Sequence, residues 1–276
     1  MIRPDDLIDV WDLATFDDEL RADLDAHADV IRDYMVTSRR QWLEREASDR
    51  TMPYPENPHA GEFIWVKEHI MRLMERRMIR AWHYTRLTDA EVAVLQKGGI
   101  YPSNLGNIRA RLDAQVAAGA FNLEIAERLY GDSPYQSDQH DSRSGKFWMT
   151  SHPTAVDDGG VELLVESWGG EAVYFWQRDE ALQDLLRHIG RARVLEIAMP
   201  LSYSRHGFSA AEAVVSTYGR TLGRCPDSHA FDLYSIEPLG PDHLLAIHSE
   251  GEPTYAALGR GYPVGYAEKH DVGDDA

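Results

Sequence analysis

Residues 79–91 read Ile79-Arg-Ala-Trp-His-Tyr-Thr-Arg-Leu-Thr-Asp-Ala-Glu91 and lead into the turn Lys97-Gly-Gly-Ile100. The apolar start predicts a strand over residues 79–85 that ends in polar side chains, among them His83. Thr88, followed three residues later by Glu, has the form of a capping box, so a helix should begin there and stop at the double glycine. This order of strand, capped helix and glycine turn indicates where purely helical sequence gives way to mixed structure.

Downstream of this segment, short apolar stretches alternate irregularly with helical patterns. Strands are predicted over residues 146–150, 171–176, 193–200, 231–236 and 243–248. The regular β-α-β order of a doubly wound sheet is absent, and no Gly-x-Gly-x-x-Gly follows a strand. The pattern predicts an α+β fold, with a helical N-terminal region followed by a mixed, mainly antiparallel and possibly split β-sheet with short helices.

The chain upstream of residue 78 reads as helical. Apolar side chains recur every three or four positions from Phe16 to Met35, which predicts one helix capped by Thr15 and running to about Ala47. Three prolines within residues 53–58 break it, and a second helix is predicted over residues 59–77. We therefore divide the chain into a helical N-terminal region (1–77), a candidate catalytic α+β domain (78–258) and a loose tail (259–276).

Composition narrows the class of protein. The 276 residues are 43% hydrophobic and 27% charged, as in ordinary globular proteins, and no apolar run approaches the ~20 residues that span a bilayer. No membrane association is expected. The single cysteine, Cys225, excludes an intrachain disulfide and is interpreted as an inert loop thiol. With no signal-peptide pattern at the start, a cytoplasmic location is predicted.

The net charge of −18 argues against direct binding of nucleic acid through a basic surface. Residues 5–33 hold eleven Asp or Glu against only two Arg. One interpretation is a solvated acidic helix face. The other is a docking surface for a basic protein partner, or a mimic of nucleic acid.

The first candidate site is the end of the predicted strand. Because side chains alternate along a strand, His83 and Thr85 should face one way and Tyr84 and Arg86 the other. An imidazole and a hydroxyl on one face can hold a sugar hydroxyl or an amide. The alternative is a histidine satisfied by backbone groups.

Further candidates follow along the chain. Thr150, Ser151 and His152 end an aromatic strand; the alternative is that Ser151 or Thr154 caps a helix. Glu171 follows two glycines and opens a predicted strand, where a carboxylate can stabilise a developing cation. The alternative is an ordinary strand-edge charge.

Two pairs of charged residues complete the candidates. Arg109 and Arg111 lie on different faces of a predicted helix, so only one of them can face a site and pair with a diphosphate. Asp232 and Glu237 flank a late strand, where they are either catalytic carboxylates or loop charges. The scattered histidines show no spacing that favours a metal site.

The order of these pieces resembles the ADP-ribosyltransferase superfamily. The segment from His83 through the double glycine is similar to the entry of the His-type members, and Phe147–Ser151 resembles their middle Ser-Thr-Ser type of strand. The resemblance covers about residues 79–252. It implies an NAD-consuming enzyme, either a transferase or a glycohydrolase, and a toxin or defence protein.

The resemblance also assigns roles within a cleft between two half-sheets. It implies that His83 is a ligand of the nicotinamide ribose and that Glu171 is the catalytic carboxylate. Thr150 or Ser151 would shape the site. Further residues expected around the nucleotide are Thr85 and Arg86, with Tyr84, Trp148 or Tyr174 stacking on nicotinamide. If the late carboxylate is not Glu171, the fallbacks are Asp232, Glu237, Glu250 and Glu252.

Two other hypotheses stay open at this point. A non-enzymatic protein would use its acidic N-terminal helices to bind a basic partner and would bury His83 in packing. A hydrolase or nuclease would instead bring His83 and His152 within hydrogen-bond reach of each other.

Overall fold

The computed structural model describes residues 6–47, 53, 55–223 and 230–259, and within them it shows an α+β fold. The helices are α1 Asp18–Ala26, α2 Ala28–Ala47, α3 Ala60–Met74, α4 Asp89–Gly98, α5 Leu105–Ala117, α6 Leu123–Gly131, α7 His140–Arg143, α8 Glu162–Glu166, α9 Glu171–Tyr174, α10 Glu180–Arg187, α11 Gly207–Thr221 and α12 Pro253–Leu258. The strands are β1 Leu7–Ile8, β2 Met78–Leu87, β3 Phe147–Thr150, β4 Arg191–Pro200, β5 Asp232–Ser235 and β6 Leu244–Ser249. The predicted fold class is therefore confirmed.

The chain divides into two compact units. In the first unit, the structure describes residues 81–199 and 232–259. In the second unit, it describes residues 6–47, 53, 55–80, 200–223 and 230–231. The sequence suggested a boundary near residue 78 and gave residues 200–231 to the later domain. The structure groups that segment with the N-terminal helices because α11 packs extensively against α3.

In the first unit, the longer strands form one sheet in the order β5-β3-β2-β4-β6. The pairs β2–β3, β3–β5 and β4–β6 are antiparallel. The expected cleft between two half-sheets is therefore not the architecture that these strands adopt. A separate apolar cluster lies among the helices of this unit and includes Leu112, Leu129, Trp168 and Leu186.

In the second unit, β1 pairs in parallel with the first residues of β2, and α11 packs against α2 and α3. The long helix predicted from residue 15 to 47 is wrong, because α1 ends at His27, whose imidazole bonds back to the Asp23 carbonyl at 2.7 Å. Thr15 does not cap the helix. Asp17 does so, by accepting from the Leu20 backbone N–H at 2.9 Å.

The predicted strand over residues 171–176 is also wrong, because the segment begins with the short helix α9. Gly169 and Gly170 have φ values of 93° and 59°, and this left-handed backbone turns the chain into the helix. Ala172 and Val173 are both buried in the helical cluster. Two consecutive buried side chains fit a helical turn better than the alternation of a half-exposed strand.

The polar segment 131–145 contains a 3-10 helix at Pro134–Gln136 and the helix α7. Cys225 and the tail beyond residue 259 lie outside the described residues. Among the helices that are described, none is both long and apolar enough to cross a bilayer.

Candidate functional site

The strand register divides the predicted site residues between two faces of the sheet. Trp82 pairs with Thr150, and Thr150 pairs with Asp232, so these side chains share a face with Tyr84 and Arg86. We call this the Tyr84 face. The opposite face, which we call the His83 face, carries His83 and Thr85 from β2 and Phe147 and Met149 from β3.

His83 is held in one orientation. Its Nδ1 lies 2.8 Å from the Trp148 carbonyl oxygen, which can only accept, so Nδ1 carries the proton. Burial lowers the pKa of His83 to about 4, the bond to Trp148 opposes this, and the charge of Arg111 lowers it further. The ring is therefore neutral near pH 7, and Nε2 presents a lone pair as a hydrogen-bond acceptor.

The Phe147 ring packs beside this imidazole, with ring centroids 4.3 Å apart and planes inclined by 37°. It fixes the ring further. Thr85, two residues along the strand on the same face, is buried. The imidazole and hydroxyl do share a face as predicted, but the imidazole is the more accessible of the two.

A bonded cluster comprises Glu91, Arg111 and Trp168, and the charge of Arg111 acts on His83. Glu91, from the capping box of α4, accepts from the Thr88 N–H at 2.9 Å and from the Trp168 indole at 2.9 Å. Arg111 Nε donates to it at 2.8 Å. Burial opposes ionisation of Glu91, but the charge of Arg111 and these bonds together hold its pKa below the usual value.

Arg111 is the inward-facing member of the predicted arginine pair. Its guanidinium carbon lies 5.0 Å from the centre of the Trp168 ring, while Arg109 is paired with Asp113 and Glu127. The Nη2 nitrogen of Arg111 is buried and has no hydrogen-bond partner within the described chain. A charged donor in that condition favours an incoming anion.

Glu171 lies off the sheet, at the start of α9. Its carboxylate pairs with Arg143, whose guanidinium also lies 4.6 Å from the centre of the Phe175 ring. Arg143 Nε is held by the Gln139 side chain at 2.7 Å. The carboxylate is therefore oriented, and about half of its side chain remains exposed to solvent.

Two series of interactions connect residues of the His83 face with the surroundings of Glu171. The first of them includes an electrostatic influence and not only direct contacts. In the first, the charge of Arg111 acts on His83, and Arg111 lies on the ring of Trp168, three residues before Glu171.

The second series starts at Phe147. The preceding residue, Lys146, accepts the Ser103 N–H at 3.1 Å, and the Ser103 side chain bonds to Tyr135. Burial raises the pKa of Tyr135, and the charge of Glu171 adds to the rise. Tyr174 responds in the same way: burial and then the charge of Glu171 raise its pKa to about 12.

The Tyr84 face is organised differently, because the hydroxyls of Tyr84 and Thr150 bond to backbone groups of the segment after β3. The Tyr84 hydroxyl accepts from the Thr154 N–H at 2.5 Å, and Thr150 Oγ1 donates to the His152 carbonyl at 2.7 Å. Ser151 is fully buried. The bonds of Tyr84 and Thr150 attach the segment after β3 to the sheet, and these two residues do not share a face with His83.

Two ionisable side chains with shifted pKa values, His152 and Asp232, lie where β3 ends. Burial lowers the pKa of His152 to about 4, against the opposing charge of Asp158. Burial and the same Asp158 charge raise the pKa of Asp232. A carboxyl group with a raised pKa is a candidate acid or base, so Asp232 keeps a physical basis as a fallback for the late carboxylate.

The other fallback carboxylates have structural surroundings of their own. Glu250 lies 4.0 Å from Arg86, which donates to the Ile189 carbonyl at 2.9 Å. Glu252 accepts from the Ser249 N–H at 2.9 Å, and Glu237 is exposed in the turn after β5.

The acidic N-terminal segment makes many contacts within the second unit. The bonded pairs are Asp9–Arg80, Asp17–Arg77, Glu19–Arg77, Asp23–His69, Asp25–Tyr218 and both Asp29 and Asp33 with Arg32. Several of these carboxylates therefore have partners within the unit. A basic partner for these helices stays a prediction.

Searches against protein-family models, curated proteins and solved structures find no match to this chain.

Sequence reasoning missed Arg143, and it did not connect Glu91 with Arg111. The sequence contained a signal for Glu91. A glutamate in the capping box lies in the first turn of α4, close to the end of β2. Arg143 had no such signal, because it lies in a polar segment without an apolar pattern.

Proposed function

We propose that the first unit is an NAD-consuming enzyme of the ADP-ribosyltransferase type, acting as a transferase or a glycohydrolase. The observation that carries the proposal is an oriented, neutral His83 together with Arg111, whose charge acts on that ring and whose buried Nη2 donor has no partner among the described residues. An acceptor for a sugar hydroxyl next to a donor for a diphosphate is the pair of groups that a dinucleotide requires.

In this proposal, His83 Nε2 accepts a hydrogen bond from a hydroxyl of the nicotinamide ribose. The Phe147 ring, already against the imidazole, provides an apolar wall for the sugar or the nicotinamide. Arg111 contacts the diphosphate through Nη2, while its Nε remains bonded to Glu91. Thr150 belongs to the Tyr84 face and Ser151 is fully buried after β3, so neither has a direct role.

Glu171 acts on the bond that breaks. The bond between nicotinamide nitrogen and ribose C1′ cleaves, and its electron pair leaves with nicotinamide, which becomes neutral. The positive charge that develops on the ribose is stabilised by the Glu171 carboxylate, which Arg143 holds in place. Water or an acceptor nucleophile then bonds to C1′ and releases a proton.

The test is release of nicotinamide from NAD, measured by chromatography for the full chain and matched variants. The wild type should release nicotinamide, His83→Ala should raise KM, and Glu171→Gln should lower kcat. Controls are His188→Ala and Glu180→Gln, whose side chains are exposed on α10 and its end. Absence of nicotinamide release by the folded wild type, with or without a protein acceptor mixture, would overturn the proposal.

A further inference from the structure

A groove of about 700 Å³ opens in the first unit between the end of α6 and the segment after α9. Its walls include Arg128, Asp132, Phe175, Trp176 and Gln177. None of these residues has a part in the proposed NAD chemistry.

One wall of the groove carries an unsatisfied hydrogen-bond donor. Gln177 is only 5% exposed, and its Nε2 has no partner among the described residues. The amide cannot be turned round, because its Oε1 accepts from the Asp179 backbone N–H at 3.1 Å. A buried amide N–H₂ without an acceptor is unfavourable, so a ligand that supplies one gains affinity.

Two exposed aromatic rings form an apolar part of the groove wall. Phe175 and Trp176 are 43% and 41% exposed, and their centroids lie 6.5 Å apart. Adjacent large aromatic side chains left in solvent beside a groove are typical of a surface on which a planar ring stacks.

The charges around the groove do not favour the binding of a simple anion. Arg128 lies 2.8 Å from Asp179 and 3.8 Å from Asp132, so two carboxylates balance its charge. Arg178 is exposed to solvent, where its charge is screened. A neutral planar ligand with a hydrogen-bond acceptor on its edge fits these surroundings better than a phosphate.

We infer that this groove is a nucleobase-binding site. The base stacks on Trp176 and Phe175, and an acceptor on its edge, a carbonyl oxygen or a ring nitrogen, takes the hydrogen bond from Gln177 Nε2. The inference does not require the proposed NAD chemistry, although Phe175 also lies against Arg143, which holds Glu171.

The test is calorimetric titration of the full chain with adenosine and with uridine, with inorganic phosphate as the third ligand. At least one nucleoside should bind, and phosphate should not. Gln177→Glu keeps the acceptor for Asp179 but removes the donor, so it should weaken nucleoside binding at least about tenfold. Trp176→Ala should weaken it by a similar factor through lost stacking.

The matched control for the ring is Trp65→Ala, a more exposed tryptophan in the second unit, which should bind like the wild type. His83→Ala should also bind the nucleoside normally, which separates this site from the NAD proposal. Far-ultraviolet circular dichroism and the melting temperature verify that each variant is folded. The inference is overturned if neither nucleoside binds, if only phosphate binds, or if folded Gln177→Glu and Trp176→Ala variants retain wild-type affinity.

Discussion

The two faces of the central sheet use similar residue types in opposite ways. On the Tyr84 face, the hydroxyls of Tyr84 and Thr150 bond to backbone groups of the segment that follows β3. On the His83 face, Nδ1 of the imidazole is bonded to the backbone. Arg111, whose charge acts on this ring, has a buried Nη2 donor without a partner in the described chain. Polar side chains on a strand therefore indicate a site only where some of their bonding capacity is left over.

The largest effect is expected for Glu171, the carboxylate proposed to act with the His83 face. Glu171→Gln keeps the shape but removes the charge that stabilises the ribosyl cation, so kcat for nicotinamide release should fall by about 10²–10³. Steady-state kinetics measure this. Glu180→Gln serves as the control, and an unchanged kcat in folded Glu171→Gln would remove Glu171 from the mechanism and leave Asp232 as the next candidate.

The next effect concerns both faces, because each contains a histidine whose pKa is lowered to about 4. Between pH 6.5 and 4 the unfolded chain binds protons that the folded chain excludes, so stability should fall as the pH drops through this window. The loss is on the order of 3 kcal/mol for each histidine.

Chemical denaturation at pH 7, 5.5 and 4 measures this loss. His83→Asn and His152→Asn should each flatten the pH dependence separately, because the two rings lie in different surroundings. A pH dependence that is the same in the wild type and in both variants contradicts the burial of these rings.

A smaller effect compares the two faces directly. His83→Ala removes the acceptor for a ribose hydroxyl and should raise KM for NAD by about tenfold with little change in kcat. Thr150→Val, on the opposite face, should leave both constants unchanged. Equal effects of the two substitutions would mean that the division of the sheet into a binding and a structural face is wrong.

The smallest effect is expected for Tyr84. Tyr84→Phe deletes the hydroxyl that accepts from the Thr154 N–H and should lower the free energy of unfolding by about 1 kcal/mol. Nicotinamide release should be unchanged. A loss of activity larger than the loss of stability explains would return Tyr84 to the site.

A comparison of β2 with α9 shows which parts of the structure could be predicted from the sequence. The strand at His83 was predictable because its alternation, the capping box of α4 and the glycine turn all agree locally. The apolar run from Glu171 fits a strand or a buried helical turn equally well, and packing of Ala172 and Val173 in the helical cluster decided between them. Local pattern cannot supply that information.

The candidate site shows the same limit. Alternation correctly separated His83 and Thr85 from Tyr84 and Arg86, but it could not place Thr150, whose face depends on the β2–β3 register. Arg143 and the open Nη2 of Arg111 depend on contacts between distant segments. No periodicity in the sequence encodes such contacts.

The central claim is that His83 offers a free Nε2 acceptor to an NAD ribose, and nuclear magnetic resonance of the imidazole nitrogens tests it most directly. With ¹⁵N-histidine label and His83→Asn for assignment, His83 should show a protonated Nδ1 and an unprotonated Nε2 down to about pH 4. Addition of NAD should shift Nε2 and leave Nδ1 bonded to Trp148. A His83 ring that protonates near pH 6.5, or whose Nε2 does not respond to saturating NAD, would contradict the claim.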